Sequence, residues 1–259
     1  MMTTVGRTIN SPEAMSRAIR EYGILPFFKC GVPGWSVEEQ TAPGYWFFED
    51  NDGELGPWDW KVDVVQEGDI AYGKFLGGKA AFATVEWYRE LMNWRRSIPK
   101  YRMAEGARYK AVTKSEQLMK KLSPIALNAI REASALESRE LRLICSAATG
   151  SQVKKNTMDS VMQFLQMGTW SVIGDIRREF KGPNLTYSGW QRASNTTPDA
   201  LFGEEIPESD APFWAKHIED NIAAGPKKAL TPDQSRRKTI DHIREFFPDA
   251  DEKILLKLI

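Results

Sequence analysis

The feature that most constrains this chain is a helical apolar repeat that ends at a glycine and passes directly into strand-like alternation. The repeat has the spacing i, i+3, i+4 and i+7 and comprises Met158, Val161, Met162 and Leu165. This spacing places the apolar side chains on one face of a helix. Gly168 ends the repeat, after which Trp170 and Val172 alternate with polar neighbours. The sequence therefore predicts a helix followed closely by a β-strand.

The segments on either side of this repeat complete a larger pattern. Residues 123–130 and 135–145 each combine a helix-start signal with apolar residues at helical spacing, and 148–151 form a turn before the repeat. Residues 181–184 are a loop signal, and 187–193 can return as a second strand. Helix, helix, turn, helix and hairpin is the order of a winged helix-turn-helix. We therefore predict an α+β fold with this module at its centre.

The N-terminal part predicts a separate α+β lobe that is rich in aromatic residues. Residues 10–13 carry a helix-start signal with proline in the first turn. Residues 45–49 and 58–62 flank the turn-forming segment 50–53, which predicts an antiparallel hairpin. We expect short runs within 64–76 to extend this hairpin into a small sheet, and Gly77-Gly78 to close a further turn.

Further helices are predicted on both sides of the central module. Helical spacing over 84–96 ends before Pro99, and a separate helix is predicted over 113–122. Downstream, helix-start signals occur at Thr197-Pro198, Ser209-Asp210 and Thr231-Pro232. We therefore divide the chain into three regions: the N-terminal lobe (1–110), the winged helix-turn-helix (111–203) and a helical C-terminal region (204–259).

Charge is balanced in total but uneven along the chain. Lys and Arg together number 35, as do Asp and Glu, so the net charge is zero and gives no reason to expect nucleic acid. Residues 38–69 are strongly acidic, with Lys61 as their only basic residue, whereas residues 95–121 are predominantly basic. The distribution of charge is therefore more informative than its sum.

Composition also excludes several classes of protein. Cys30 and Cys145 are too few and too far apart for a disulfide framework, and we expect buried, reduced thiols. No apolar run has the length of a signal peptide or of a membrane span, so we expect a cytoplasmic protein. His217 and His242 are the only histidines, which argues against a catalytic triad or a zinc site. We expect neither a metal nor an organic cofactor.

The predicted third helix and the hairpin carry the candidate DNA-binding residues. Polar residues collect at the N-terminal end and outer face of that helix, the part that enters a major groove; they are Lys154, Lys155, Asn156, Ser160 and Gln163. Arg177, Arg178 and Lys181, expected at the hairpin tip, can neutralise phosphates. Duplex DNA is therefore the predicted partner. Asp159 and the zero net charge favour the alternative, in which these helices and the hairpin serve only for packing or protein contacts.

Short sequence segments spread along the chain, called phrases below, resemble the AlkZ-related family, whose members are relatives of the AlkZ-like DNA glycosylases. The phrases are residues 31–36, 56–61, 162–168, 187–190 and 196–203, together with Leu141 and Lys154-Lys155. The resemblance implies a protein that binds duplex DNA and excises alkylated or crosslinked bases. In those glycosylases, tandem winged helices surround the duplex, and a Gln-x-Gln or Gln-x-Asp motif acts at the reacting nucleotide.

The nearest match to that motif in this chain is residues 66–69, a phrase one residue longer than the family's. Gln66 and Asp69, with Asp59, are therefore the candidate catalytic residues. A hydrolytic glycosylase needs a carboxylate or an amide to position water and to stabilise a cationic sugar. The alternative is that these are ordinary polar residues of a hairpin and a turn, beside tryptophans that either stack a base or fill a small core.

Three functions remain open at this point. The first is a DNA-repair protein related to glycosylases, the second a transcription regulator whose aromatic lobe senses a small molecule, and the third a non-catalytic interaction protein. Dimerisation on pseudo-palindromic DNA favours a regulator. Preference for damaged DNA as a monomer favours a repair protein. The sequence leaves the oligomeric state open.

Overall fold

The computed structural model describes residues 9–42, 45, 55–203 and 230–259. Within these ranges the helices are α1 (Pro12–Tyr22), α2 (Val37–Gln40), α3 (Pro57–Gln66), α4 (Val85–Ser97), α5 (Lys114–Ala133), α6 (Ser138–Thr149), α7 (Lys155–Met167), α8 (Pro198–Leu201), α9 (Pro232–Phe246) and α10 (Glu252–Leu258). The strands are β1 (Ile24–Pro26), β2 (Ile70–Leu76), β3 (Lys79–Thr84), β4 (Ala135–Glu137), β5 (Val172–Lys181) and β6 (Thr186–Thr196). The protein is therefore α+β, as predicted.

The described strands form one antiparallel sheet in the order β1-β3-β2-β5-β6-β4. A turn at Gly77-Gly78 joins β2 to β3, where the sequence predicted a turn. The N-terminal strands meet the β5–β6 hairpin at a single pair, Tyr72 opposite Ile173. At the far edge, β4 pairs with β6, beginning with Ala135 opposite Thr196. The sheet thus connects the N-terminal strands with the central helices.

Two apolar cores lie beside this sheet. The first is built from α1, α3, α4 and strands β1 to β3, and it also takes in apolar residues of α9 and α10 such as Ile243 and Leu255. The second lies between α5, α6 and α7 and includes Trp170. Each core holds one cysteine, Cys30 in the first and Cys145 in the second, and both are buried free thiols. The three-region division of the chain stays a prediction.

Three of the predicted helix starts that contain Pro, those at residues 11–12, 197–198 and 231–232, are confirmed. Ser11 caps α1, and its hydroxyl oxygen accepts a hydrogen bond from the Ala14 amide at 3.1 Å. Thr197 caps α8 in the same way, and Thr231 starts α9 with a reciprocal capping box. These side chains satisfy amides that a helix leaves without partners in its first turn. The start predicted at residues 209–210 lies outside the described residues.

The strands predicted at 58–62 and 64–65 are wrong, because both segments belong to α3. Pro57 occupies the first turn of this helix, after Gly56 in an extended conformation. The helix is buried on most of its sides, so its apolar residues do not follow a 3.6-residue period. The alternation of Trp58 and Trp60 instead matched the two-residue period of a strand. The opposite arm and the turn of that hairpin lie outside the described residues, apart from Tyr45.

The two helices predicted on either side of residue 123 are one helix, α5, which continues through Pro124. Proline has no amide hydrogen for the preceding turn and usually breaks a helix. Ser123 is not a cap, since its buried hydroxyl donates to the Met119 carbonyl at 2.6 Å inside the helix. Apolar residues on both sides of the proline, including Leu122 and Leu127, share the second core. Packing of this continuous face outweighs the local signal.

The predicted order of helix, helix, turn, helix and hairpin is present in α5, α6, α7 and β5–β6. Gly150 ends α6 in the left-handed region, at φ +63°, which suits a residue without a side chain. The apolar repeat of α7 faces the second core, as its spacing predicted. Strand β4, between α5 and α6, was not predicted.

We predict that Trp170→Ala lowers the free energy of unfolding by about 3 to 5 kcal/mol, because the truncation leaves a cavity in the second core. The indole is 3% exposed, and its nitrogen donates to the Tyr101 carbonyl at 2.8 Å. Denaturant unfolding measures the effect. The matched control is Trp190→Ala, since Trp190 is 67% exposed; we expect it to change stability by about 0.5 kcal/mol or less. Equal losses in the two variants would contradict this placement of Trp170.

Candidate functional site

A cavity of about 250 Å³ lies between α3, the sheet and α7. Its wall combines aromatic rings, amide side chains and two lysines, and these residues include Trp58, Lys61, Tyr72, Lys74, Gln166, Gln191 and Asn195. Concave sites with aromatic surfaces and a few convergent polar groups are typical of small-molecule binding. The three neighbouring elements come from distant parts of the sequence, so this cavity exists only in the folded chain.

Amide hydrogen bonds fix the cavity wall where α7 meets the sheet. The Gln166 side chain accepts from the Lys74 amide at 2.8 Å and donates to the Asn195 side chain at 3.2 Å. A Cβ atom at Gly73 would lie 3.3 Å from the Gln166 oxygen, a tight contact that explains why this close approach suits glycine. Gln166 is 4% exposed, and both the oxygen and the nitrogen of its amide have a partner, so these bonds hold this part of the wall in place.

Lys61 lines the cavity although the residue is only 4% exposed. The Nζ atom donates to the Trp58 carbonyl at 2.6 Å and to the Gln191 side-chain oxygen, and it lies 3.3 Å from the centre of the Trp58 ring. Burial lowers the pKa of Lys61 to about 7, opposed by the charge of Asp59 and assisted by that of Arg178. A large fraction of this amine is therefore neutral near pH 7.

Asp59 lies beside Lys61 as the centre of a buried polar cluster between α3 and the hairpin. Its Oδ1 atom accepts from the Tyr187 hydroxyl and from Gln191 Nε2, the latter at 3.1 Å, and Arg178 Nε lies 3.8 Å away. Its Oδ2 atom is buried without a hydrogen-bond partner among the described residues. Burial and the hydrogen bond to Asp59 raise the pKa of Tyr187 to about 12. The predicted catalytic carboxylate Asp59 is thus enclosed by protein.

The other two candidate catalytic residues are exposed and face different elements. The Gln66 amide nitrogen donates to the Ile176 carbonyl at 3.0 Å and lies 3.4 Å from an oxygen of Asp175. The Asp69 carboxylate accepts two hydrogen bonds from Arg20, at 2.6 and 2.9 Å. Gln66 therefore contacts β5 and Asp69 contacts α1, and neither side chain lines the cavity.

The predicted DNA-binding residues of α7 are all exposed; they are Lys154, Lys155, Asn156, Ser160 and Gln163. Lys154 and Lys155, at the start of the helix, form no ion pair with any other residue that the structure describes. Gln163 also lines the cavity, together with Asp159 and Met162 of the same helix. One helix thus carries an exposed polar end and forms a wall of the cavity.

The basic residues of the hairpin have unequal surroundings. Arg177 is 83% exposed and pairs with its neighbour Asp175 at 2.7 Å, and Lys181 is 65% exposed. Arg178 is 21% exposed and is held by Asp63 at 2.9 Å, so its charge serves the hairpin's attachment to α3. Arg177 and Arg178 lie within β5 rather than at the tip where the sequence placed them.

The residues that sequence reasoning missed are those that meet only through the fold. Gln166, Gln191 and Asn195 belong to α7 and β6, and nothing in their local sequence marks them. Lys61 had one detectable signal, its isolation as the only basic residue of an acidic stretch. No cluster of three or more potential metal ligands occurs in the described part of the chain. Among the same residues, no helix is both long and apolar enough to cross a membrane.

These features define an α+β protein whose antiparallel sheet, together with α3 and α7, encloses a polar-aromatic cavity. The chain belongs to the AlkZ-related family: the family model matches residues 9–259. The family resemblance read from the sequence is thereby confirmed over nearly the whole chain. Comparison with curated proteins and with solved structures finds no match.

The lowered pKa of Lys61 predicts that stability rises with pH above neutrality. The unfolded chain keeps this proton up to the ordinary lysine pKa of 10.5, whereas the folded protein loses it near pH 7. The unfolded state therefore binds more protons in this window, and raising the pH favours the folded state. Lys61 contributes a slope of up to about 1.4 kcal/mol per pH unit to the free energy of unfolding.

Urea unfolding between about pH 7 and pH 9 measures this slope. In Lys61→Met, which keeps the length of the side chain, we expect the slope to fall relative to the parent protein. The matched control is Lys74→Met, because Lys74 is an exposed lysine at the same cavity. Equal slopes in the parent protein and Lys61→Met would show that the amine is charged throughout this range.

Proposed function

We propose that this protein binds duplex DNA through a winged helix-turn-helix made of α5, α6, α7 and the β5–β6 hairpin. We further propose that it is a repair protein, related to DNA glycosylases, that acts on alkylated or crosslinked bases. The observation that carries the proposal is a pair of exposed lysines at the start of α7 that form no ion pair with any described residue, in a chain of the AlkZ-related family. In helix-turn-helix proteins this end of the third helix contacts the major groove.

Electrostatics at the start of α7 support an anionic partner. A helix N-terminus carries partial positive charge and amides that lack partners. Lys154 precedes the first turn of α7, and Lys155 and Asn156 lie within that turn. Positive side chains there add to the helix field instead of neutralising it, which is unfavourable without an anion. Phosphate groups of a duplex supply that charge.

The hairpin supports the same partner through its exposed side chains. Phe180, Leu185 and Trp190 are 56, 71 and 67% exposed, close in sequence to Arg177 and Lys181. Large apolar side chains exposed beside cations are common where proteins insert between base steps while holding the backbone. We assign Arg178 to hairpin attachment instead, because Asp63 holds its guanidinium.

A second candidate function is a regulator that senses a small molecule. The cavity favours it, because Asp159, Met162 and Gln163 of α7 line the space that a ligand would occupy. Occupancy could then alter the proposed DNA-contacting helix directly. This function requires dimers on pseudo-palindromic DNA and affinity that depends on the ligand. The repair function requires neither.

The proposed DNA binding predicts how affinity responds to the loss of two lysines. Changing Lys154 and Lys155 together to Ala should weaken binding to duplexes of any sequence and flatten the dependence of log K on log salt by about one unit per lost phosphate contact. Fluorescence anisotropy over a salt series measures both effects. The matched control removes two exposed lysines of α10, Lys253 and Lys257. If both double variants lose affinity equally, α7 does not carry the contact.

The proposed repair activity predicts base release from damaged DNA. Incubation of the protein with duplexes that carry alkylated or crosslinked bases, read as abasic sites, tests catalysis directly. We expect Gln66→Ala and Asp69→Asn to abolish release with duplex affinity unchanged, because these polar groups would position water or stabilise a cationic sugar. Asp59→Asn should also abolish release.

The control for base release is Asp249→Asn, which changes an exposed carboxylate between α9 and α10. It should behave as the parent protein does. If no lesion yields abasic sites, or if the Asp249 and Asp69 variants behave alike, the catalytic assignment fails and the regulator becomes the better account.

A further inference from the structure

The amine of Lys61 is buried in a way that lysine rarely tolerates. Lysine usually extends its charged end to water while only the aliphatic stem is covered. Here the residue is 4% exposed, and the acceptors of Nζ among the described residues are two neutral amide oxygens, those of Trp58 and Gln191. Nζ forms no ion pair with any described residue. Desolvation without a contacting counter-charge favours the neutral amine.

A neutral amine with these partners is prepared for nucleophilic attack. It has two N–H bonds and one lone pair, and the carbonyl of Trp58 and the side chain of Gln191 accept the two hydrogens. With both hydrogens donated, the lone pair is left for bond formation. Lysines activated by desolvation attack carbonyl carbons and form Schiff bases. The lowered pKa of Lys61 is consistent with this chemistry at neutral pH.

The position of the cavity indicates where a carbonyl substrate would come from. Asp159 and Gln163 line the cavity from α7, the helix that begins with the exposed Lys154 and Lys155. Enzymes that act on a nucleotide turn it out of the duplex into a neighbouring pocket. A space of about 250 Å³ beside this helix is suited to a single extruded sugar, and Trp58 offers it an aromatic wall.

We infer that Lys61 forms a reversible imine with aldehydes that enter the cavity, and that the ring-opened abasic deoxyribose of DNA is the substrate class. This assignment of the substrate rests on the proposed DNA binding. Hydrolysis of an N-glycosidic bond is the class of reaction that supplies such a sugar. Lys61 then acts after base release and not in it.

The reaction balances without an oxidant or a reductant. The Nζ lone pair adds to the aldehyde carbon, C1′, as the carbonyl π pair moves to oxygen. A proton passes from nitrogen to that oxygen and gives a neutral carbinolamine. The nitrogen lone pair then expels hydroxide while nitrogen loses its last proton, so an imine and one water molecule form. Hydrolysis reverses the step and restores the amine.

Borohydride trapping tests the inference on the full-length protein. The protein is incubated near neutral pH with a duplex that contains one abasic site, and sodium borohydride then reduces any imine to a stable secondary amine. We expect a protein–DNA adduct on a denaturing gel, with the modified peptide containing Lys61. Lys61→Met and Lys61→Arg should reduce the adduct to background, and Lys253→Met, at an exposed lysine of α10 that does not line the cavity, should retain it. Thermal melting verifies that each variant is folded.

A parallel measurement separates this inference from the proposed function. Anisotropy with the same duplex reports binding, and reductive methylation of the free protein by formaldehyde reports amine reactivity without DNA. Binding without an adduct at Lys61 overturns the inference and leaves the DNA-binding proposal intact. Absence of binding overturns that proposal and the substrate class together. Methylation of Lys61 no faster than of exposed lysines overturns its role as a nucleophile.

Discussion

The arrangement of this protein depends on one buried cation, the guanidinium of Arg95. Arg95 is 3% exposed and donates to the main-chain oxygens of Met167, Leu258 and Ile259 at 2.7 to 2.8 Å. One residue of α4 therefore holds both the end of α7 and the end of α10. Burial lowers its pKa, and such a charge is tolerable only because several carbonyl oxygens surround it. The neighbouring Arg96 donates to the Thr169 carbonyl and extends the junction between the two cores.

The structure shows that several residues of the chain's basic and acidic stretches are buried or paired within the protein. Arg95 and Arg96 open the basic stretch at 95–121, yet both are buried and serve the structure. The acidic stretch at 38–69 is likewise no uniform surface. Asp69 pairs with Arg20, Asp63 pairs with Arg178, and Asp59 is enclosed by Tyr187 and Gln191. Because these carboxylates are neutralised or hydrogen-bonded within the protein, they need not repel a phosphate backbone, and a zero net charge is compatible with an anionic partner.

The polar cluster around Asp59 determines where the hairpin lies, and therefore the shape of the cavity. Arg178 and Gln191 reach from the hairpin to α3, while Gln166 joins α7 to the sheet. Removal of one member leaves another buried polar group without a partner, which costs more than the bond itself contributes. Hydrogen bonds thus hold the proposed DNA-contacting helix, the hairpin and Lys61 in one arrangement, the fixed geometry that catalysis requires.

The sequence alone determined the elements whose signals are local. These elements depend on neighbouring residues only; they are the apolar repeat of α7, the glycines at 77–78 and 150, and the helix starts at Ser11 and Thr231. The family was also recognisable from short sequence segments. Tertiary packing decided the rest. Residues 58–65 became helix because burial on most sides removed their periodicity, and α5 continued through Pro124 because one apolar face was buried along its length. Only the fold brought Lys61 to Gln191, since a contact across 130 residues depends on packing that no local pattern records.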